Sequence, residues 1–262
     1  MNIFEYMDVL KDEKPLDRLA TDGGFFSIFR TVACIGDSLS SGEFESKDAE
    51  GNKGYHDCFE YSWGQYMARC AGNKVYNFSR GGMTAKEYVE SFGDSRGFWD
   101  KDKAAQAYII ALGVNDLNRI EIGSVDDVDL KDRNNNKPTF AGYYATIIQK
   151  YKEIQPRAKF FFVTIPKHGD QLDEKRKAVR DLLSDFTKFF DRSYLIDLYT
   201  YAPVYDEEFH SKYFLGHMNP MGYVLTARMI ESYIDYIIRT NLHDFSQVGF
   251  IGTDLYYEAE ET

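Results

Sequence analysis

Ser38 and His217 are the two side chains in this sequence whose surroundings point most directly to chemistry. Ser38 stands in Gly36-Asp37-Ser38-Leu39-Ser40, and His217 opens His217-Met218-Asn219-Pro220. A serine hydroxyl is a poor nucleophile until a nearby base takes its proton, so acyl transfer needs a serine, an imidazole within hydrogen-bond reach and donors for the oxyanion. The donors are present as the backbone N–H groups of Ser38 and Gly82 and the side-chain amide of Asn115. A glycine at 82 lets the backbone approach a substrate oxygen without a Cβ in the way, and Gly81 is the alternative donor. His210 competes with His217 as the base because Glu207 precedes it by three residues, but it lacks the Asn-Pro-x-Gly-Tyr run that follows His217. His56, His168 and His243 read as surface or loop residues.

These residues need a scaffold that brings distant segments together. Residues 29–35 form a short β-prone run that stops at Gly36. Further apolar runs at 74–78, 107–112, 159–165 and 194–198 read as four more strands. Between them lie helical patterns. Trp63, Tyr66, Met67 and Cys70 recur at helical spacing. Thr84 caps a helix through 92 with Glu87 completing a capping box. Residues 140–154 are periodic and stopped by Pro156, and the patterns at 174–190 and 219–239 complete the series. Strands alternating with helices imply a parallel sheet covered on both faces, because parallel strands need crossovers. In such a sheet ligands sit beyond the carboxyl ends of the strands, which is where the turns carrying Ser38, Gly82, Asn115 and His217 fall. No repeat or linker divides the chain, so residues 1–262 are expected to form a single domain.

The blocks Gly36-Asp37-Ser38-Leu39-Ser40, Asn77 with Gly82-Met83-Thr84, Gly113-Val114-Asn115-Asp116 and His217-Met218-Asn219-Pro220-Met221-Gly222-Tyr223 occur in that order. In this the sequence resembles the SGNH, or GDSL-type, hydrolases, over residues 31 to about 230. The resemblance implies a three-layer α/β/α fold with a flavodoxin-like five-stranded parallel sheet and a carboxylic ester hydrolase. It makes Ser38 the nucleophile, His217 the base, and Gly82 and Asn115 members of the oxyanion hole. Asp37 and Asp116 become structural residues that tie the turns together, and no cofactor or metal is required. One position departs from the family. The aspartate usually found three residues before the histidine is Phe214 here, and no carboxylate lies between Tyr213 and Gly216. A Ser–His pair assisted by the backbone carbonyl of Phe214 or Leu215 is the preferred expectation, with the carboxylates of Asp206, Glu207 or Glu208 as alternatives. The loop 41–61, with Phe44, Tyr55 and Phe59, follows the nucleophile directly and either walls the pocket or is a plain surface excursion.

Composition narrows the setting. With 44% hydrophobic and 28% charged residues over 262 positions the chain is expected to fold on its own. A net charge of -11 disfavours nucleic-acid and anionic-membrane partners, which leaves a small-molecule ester as the expected partner. No stretch reaches the roughly 20 apolar residues of a membrane span. The first residues lack a basic segment followed by an apolar run. Three cysteines without metal-ligand spacing suggest a reducing compartment, so a cytoplasmic location is expected. The acidic stretch 121–138 reads as a solvated loop, with a calcium loop as the sharper alternative. The expected substrate is an ester of a short acyl group, such as acetyl on a carbohydrate. A lysophospholipase or thioesterase for longer chains, or a catalytically weak module binding acylated carbohydrate, are the rivals.

Overall fold

The computed structural model describes residues 7, 9–253 and 255. Residues 1–6 and 8, part of the opening segment considered above for a leader, lie outside them. Five strands, β1 (Thr31–Gly36), β4 (Lys74–Ser79), β5 (Ala107–Ala111), β6 (Lys159–Val163) and β7 (Ser193–Ile196), form one sheet in the order β4-β1-β5-β6-β7. Every pairing in it is parallel. β1 has its next sheet strand, β4, on one side and β5 on the other, so the winding reverses beside β1. That makes the carboxyl end of β1 the topological switch point, the usual ligand position of doubly wound sheets. Ser38 is the second residue beyond that end.

The alternation of side chains along a strand divides the core into two layers. Ala33 and Ile35 of β1, Tyr108 and Ile110 of β5 and Phe160 and Phe162 of β6 pack with helices α4 (Phe140–Ile154) and α5 (Asp173–Phe189). Val32, Cys34, Ile109, Phe161 and Val163 face the other way, against α2 (Trp63–Ala71) and α7 (Pro220–Thr240). The buried tyrosines keep their hydroxyls satisfied: Tyr144 donates to the Ile110 carbonyl at 3.1 Å, and Tyr88 and Tyr151 share a 2.6 Å bond. The sheet and its two helical layers are the three-layer arrangement implied by the sequence.

Three segments differ from their sequence reading. The capping box at Thr84 is present, but helix α3 (Ala85–Glu87) passes into a π-helical turn at Tyr88–Phe92. The last strand ends at Ile196 because the Asp197 side chain accepts the Thr200 N–H and starts a short helix at Leu198. The segment after Ser38 is an antiparallel hairpin, β2 (Glu43–Lys47) with β3 (Lys53–Asp57). In the acidic stretch, Asp127 pairs with Lys137, while Asp129 and Asp132 accept from Asn135 and Asn134. Among the described residues no group of His, Cys, Asp and Glu side chains is arranged to hold a metal ion, and no helix is long and apolar enough to cross a membrane.

Candidate active site

Ser38 opens a one-turn helix, α1 (Ser38–Ser41), immediately beyond β1. The preceding Asp37 side chain accepts the Leu39 N–H at 3.1 Å and so caps the turn that presents the serine. The turn is tight: a Cβ on Gly36 would lie 2.1 Å from Ser40 Oγ, so only glycine fits there. Among the described residues no hydrogen bond occupies the Ser38 hydroxyl or the backbone N–H groups of Ser38 and Gly82. Gly82 has φ +73°, which favours glycine, and open space around the position of a Cβ. The Asn115 amide donates one hydrogen to the Met83 carbonyl at 3.1 Å, which fixes its plane and leaves its second N–H. Asp116 accepts the Ala85 N–H at 3.0 Å, tying the turn after β5 to the start of α3.

Burial gives these acids unusual titration. Loss of hydration pushes Asp37 up to about 7, against the Leu39 hydrogen bond and reinforced by the neighbouring charge of Asp116. Asp116 is also pushed up to about 7 by burial, opposed by its bond from Ala85. One of its oxygens, Oδ2, is buried without a partner.

His217 stands on a two-residue strand, β9 (His217–Met218), paired with β8 (Phe214–Leu215) around Gly216. Gly216 has φ +80° and leaves room for the Glu45 carboxylate, whose Oε2 would lie 2.2 Å from a Cβ there. β9 packs beside α1 and β2. The imidazole does not meet a carboxylate from its own segment. Its Nε2 lies 2.9 Å from Oε1 of Glu43, the first residue of β2. The Tyr55 ring of β3 stands edge-on to it at 5.7 Å. The hairpin that follows Ser38 therefore reaches the histidine.

Glu43 is seated from three sides. Its backbone carbonyl accepts the Tyr223 hydroxyl at 2.7 Å, and Tyr223 is the last residue of the His217 block. A Cβ on Gly81 would lie 2.0 Å from Glu43 Oε2, so the first glycine of the Gly81-Gly82 pair makes room for this carboxylate. Next to it the Ser41 hydroxyl bonds Asp57. Burial raises the Glu43 carboxyl above the usual carboxylate range, the His217 charge pulls it back, and Asp57 pushes it up again. The other imidazole nitrogen, Nδ1, is buried without a partner. No hydrogen bond joins Ser38 Oγ to the ring among the described residues.

The alternative acids and base lie elsewhere. Asp206 caps α6 (Glu207–Tyr213) through the Phe209 N–H at 2.9 Å, and Glu208 pairs with Lys212 at 2.6 Å. Glu207 is exposed in the first turn of α6. The Phe214 ring stacks on His210 at 4.2 Å, and His210 faces His168 at 5.6 Å rather than a carboxylate. The Asn219 N–H bonds the Tyr213 carbonyl, while Phe214 and Leu215 pair with Met218 and His217 in the β8–β9 ladder; among the described residues neither of their carbonyls is bonded to the imidazole, whose Nε2 meets Glu43 and whose Nδ1 has no partner. Glu43 is the residue at the candidate site that sequence reasoning did not single out. The available signal was a glutamate five positions after Ser38, in a segment already recognised as adjoining it.

A parallel sheet whose switch point carries an unpartnered serine, with a carboxylate-bound histidine on a neighbouring turn, defines an α/β hydrolase of the SGNH kind. The chain belongs to the GDSL-like lipase/acylhydrolase family, whose model matches residues 34–225, and it is a hydrolase acting on esters. None of the curated protein sequences compared matches it. Among solved structures it is similar to a lipolytic protein of the G-D-S-L family from Desulfitobacterium hafniense, with 20% identity over 78% of this chain and 99% of that one, at a TM-score of 0.51. It is also similar to a family 3 carbohydrate esterase from Clostridium thermocellum, at 13% identity over 80% and 97% with a TM-score of 0.52. A family two carbohydrate esterase of the same organism, solved with cellohexaose, matches at 17% identity over 82% of this chain, with a TM-score of 0.53. The match spans 65% of that esterase's chain. At these identities the likeness is one of fold.

Proposed function

We propose that the protein is a serine esterase that cleaves short-chain carboxylic esters through an acyl-enzyme, using Ser38, His217 and Glu43. The 2.9 Å contact between His217 Nε2 and Glu43 Oε1 carries the reading, because it supplies the carboxylate that the sequence around the histidine lacks. A carboxylate on one imidazole nitrogen fixes the tautomer and leaves the lone pair on the other, here Nδ1.

In this scheme His217 takes the proton of Ser38 as Oγ forms a bond to the ester carbonyl carbon. The negative charge that develops on the carbonyl oxygen meets the Ser38 and Gly82 N–H groups and the second N–H of Asn115. The bond to the alcohol then breaks, and the imidazolium returns its proton to the departing oxygen. Water enters the same path: His217 takes its proton, the hydroxide attacks the acyl carbon, and Ser38 leaves with the proton. Glu43 stabilises the imidazolium in both halves. A catalytically silent carbohydrate-binding module is favoured by Phe214, at the position where the family usually has aspartate, and the His217–Glu43 contact weighs against it.

The test is a fluorophosphonate label followed by peptide mapping. The reading predicts a single adduct on Ser38 that is absent in Ser38→Ala, together with hydrolysis of p-nitrophenyl acetate faster than of the decanoate. Absence of an adduct on Ser38 in active protein rejects it.

A further inference from the structure

One face of the β2–β3 hairpin is turned to the segment that carries His217, and it is acidic. Side chains alternate along a strand, so Glu43 and Glu45 of β2 share that face with Tyr55 and Asp57 of β3, paired as Glu43 with Asp57 and Glu45 with Tyr55. Glu43 touches the imidazole, the Tyr55 ring stands beside it, and Glu45 lies at Gly216 and is bound by Lys53 at 2.7 Å. Asp57 sits directly opposite Glu43 and has no cationic partner among the described residues. The Cys58 N–H donates to the Gly42 carbonyl at 3.0 Å, which makes 43 and 57 a non-hydrogen-bonded pair, the kind in which opposed side chains come closest. Like charges so placed destabilise a ladder. A neutral acceptor at 57 would avoid that cost.

What the Asp57 carboxylate contacts is the turn that carries Ser38. The buried Ser41 hydroxyl, at the end of α1, bonds that carboxylate and stands 3.1 Å from the Ser38 carbonyl. The chargeable groups around Glu43 are His217 from β9, Asp57 and His56 from β3, Asp37 from the turn before α1 and the Tyr223 hydroxyl from α7. His56 is bonded to Ser46 at 2.8 Å, and burial pushes Asp37 up to about 7, so Asp57 is the exposed carboxylate left beside the His217–Glu43 pair. We propose that Asp57 is a positioning residue with two actions, an inference that rests on the serine-esterase reading: through Ser41 it holds the Ser38 turn against the hairpin, and its negative charge sets where activity falls away on the acid side. A unit charge about 5 Å from its neighbour, at an exposed position, moves the neighbour's titration by about half a pH unit. His217 and Glu43 share one contact and titrate as a pair.

The experiment measures kcat and KM on p-nitrophenyl acetate across about pH 5 to 9. Asp57→Asn keeps an acceptor for Ser41 and removes the charge: the acid limb of kcat/KM is expected to move about half a pH unit lower, with the plateau kcat within about threefold. Ser41→Ala cuts the tie and keeps the charge: the plateau kcat is expected to fall at least about tenfold, with KM within about twofold and the limb in place. Glu50→Gln, which removes a charge at the far end of the hairpin, should move neither. Asp57→Ser repeats the first arm if the amide variant does not fold. A limb in Asp57→Asn that superimposes on that of the unaltered protein, or Ser41→Ala at full kcat, overturns the proposal. Fluorophosphonate labelling of Ser38 in the unaltered protein separates the two readings: with labelling, those results remove the role of Asp57 and leave the serine esterase standing, whereas absence of labelling removes both.

Discussion

His217 and His210 sit a few residues apart and make opposite use of their neighbours. His210 has an acid three positions before it and yet lies between Phe214 and His168, with no carboxylate bound. His217 has no acid in its own segment and is held by Glu43, brought in by a hairpin from the other end of the chain order. The difference comes from what each segment packs on. α6 directs Phe209 inward and leaves its acidic first turn in solvent, whereas β9 lies against β2, which follows the helix that carries Ser38. An orienting acid is defined by the surface a histidine is packed against, and sequence spacing is only one way to supply it.

The largest expected effects separate the two histidines. Ser38→Ala and His217→Ala should each lower kcat/KM by about 10⁴-fold or more, while His210→Ala should stay within about threefold because the ring packs on Phe214 and His168 and binds no carboxylate. Steady-state kinetics on a p-nitrophenyl ester, with circular dichroism to verify folding, check this. Equal losses at 210 and 217 would break the comparison.

Next come the residues that seat the acid. Glu43→Gln keeps the shape and removes the charge, and should reduce kcat by about 10²- to 10⁴-fold with little change in KM. Glu207→Gln and Glu208→Gln should be within about twofold. Gly81→Ala drives a methyl into the Glu43 carboxylate and should reproduce most of the Glu43→Gln loss. The double variant Gly81→Ala/Glu43→Gln should be no worse than the more damaging single variant, since both act on one contact. Gly82→Ala meets no neighbour, and its backbone strain at φ +73° should cost about 1–2 kcal/mol, read from denaturant midpoints.

Smaller effects concern pH and stability away from the imidazole. Asp116 holds its proton to about 7 in the fold, above its value of about 3.9 in the unfolded chain. The folded state therefore binds the proton more tightly, and stability should fall as pH rises from about 4 to 7. Asp116→Asn, which keeps an acceptor for Ala85, should reduce that slope in urea titrations across this window, with Asp37, also raised to about 7, contributing to the remainder. Glu13 has the opposite sign: its hydrogen bond from Arg239 holds it down at about 2. Its contribution is present above about 4.3 and is lost as pH falls toward 2. Arg239 also binds Asp235, so Glu13→Gln should cost about 2 kcal/mol.

The architecture was legible because a buried parallel strand is a short apolar run and each was bounded by a glycine or polar turn. Phe160, Phe161 and Phe162 face alternate layers, yet both layers are apolar, so the run reads as a strand from composition alone. The turns carrying Ser38, Gly82, Asn115 and His217 were legible for the same reason, since their order fixes the sheet edge they reach. The hairpin at 43–57 was not. Its strands carry Glu43, Glu45, Lys47, Lys53 and Asp57, a polar series with no hydrophobic period, and what holds it is packing against Tyr223 and Gly216. Its contact with His217 was not legible either, because it depends on a carboxylate and an imidazole meeting across that packing.

The most direct test of this account is the rate at which a fluorophosphonate modifies Ser38, followed by intact mass. Modification is expected to be at least 100-fold slower in Glu43→Gln than in the unaltered protein, with Glu207→Gln unchanged. Equal rates in Glu43→Gln and the unaltered protein would contradict it.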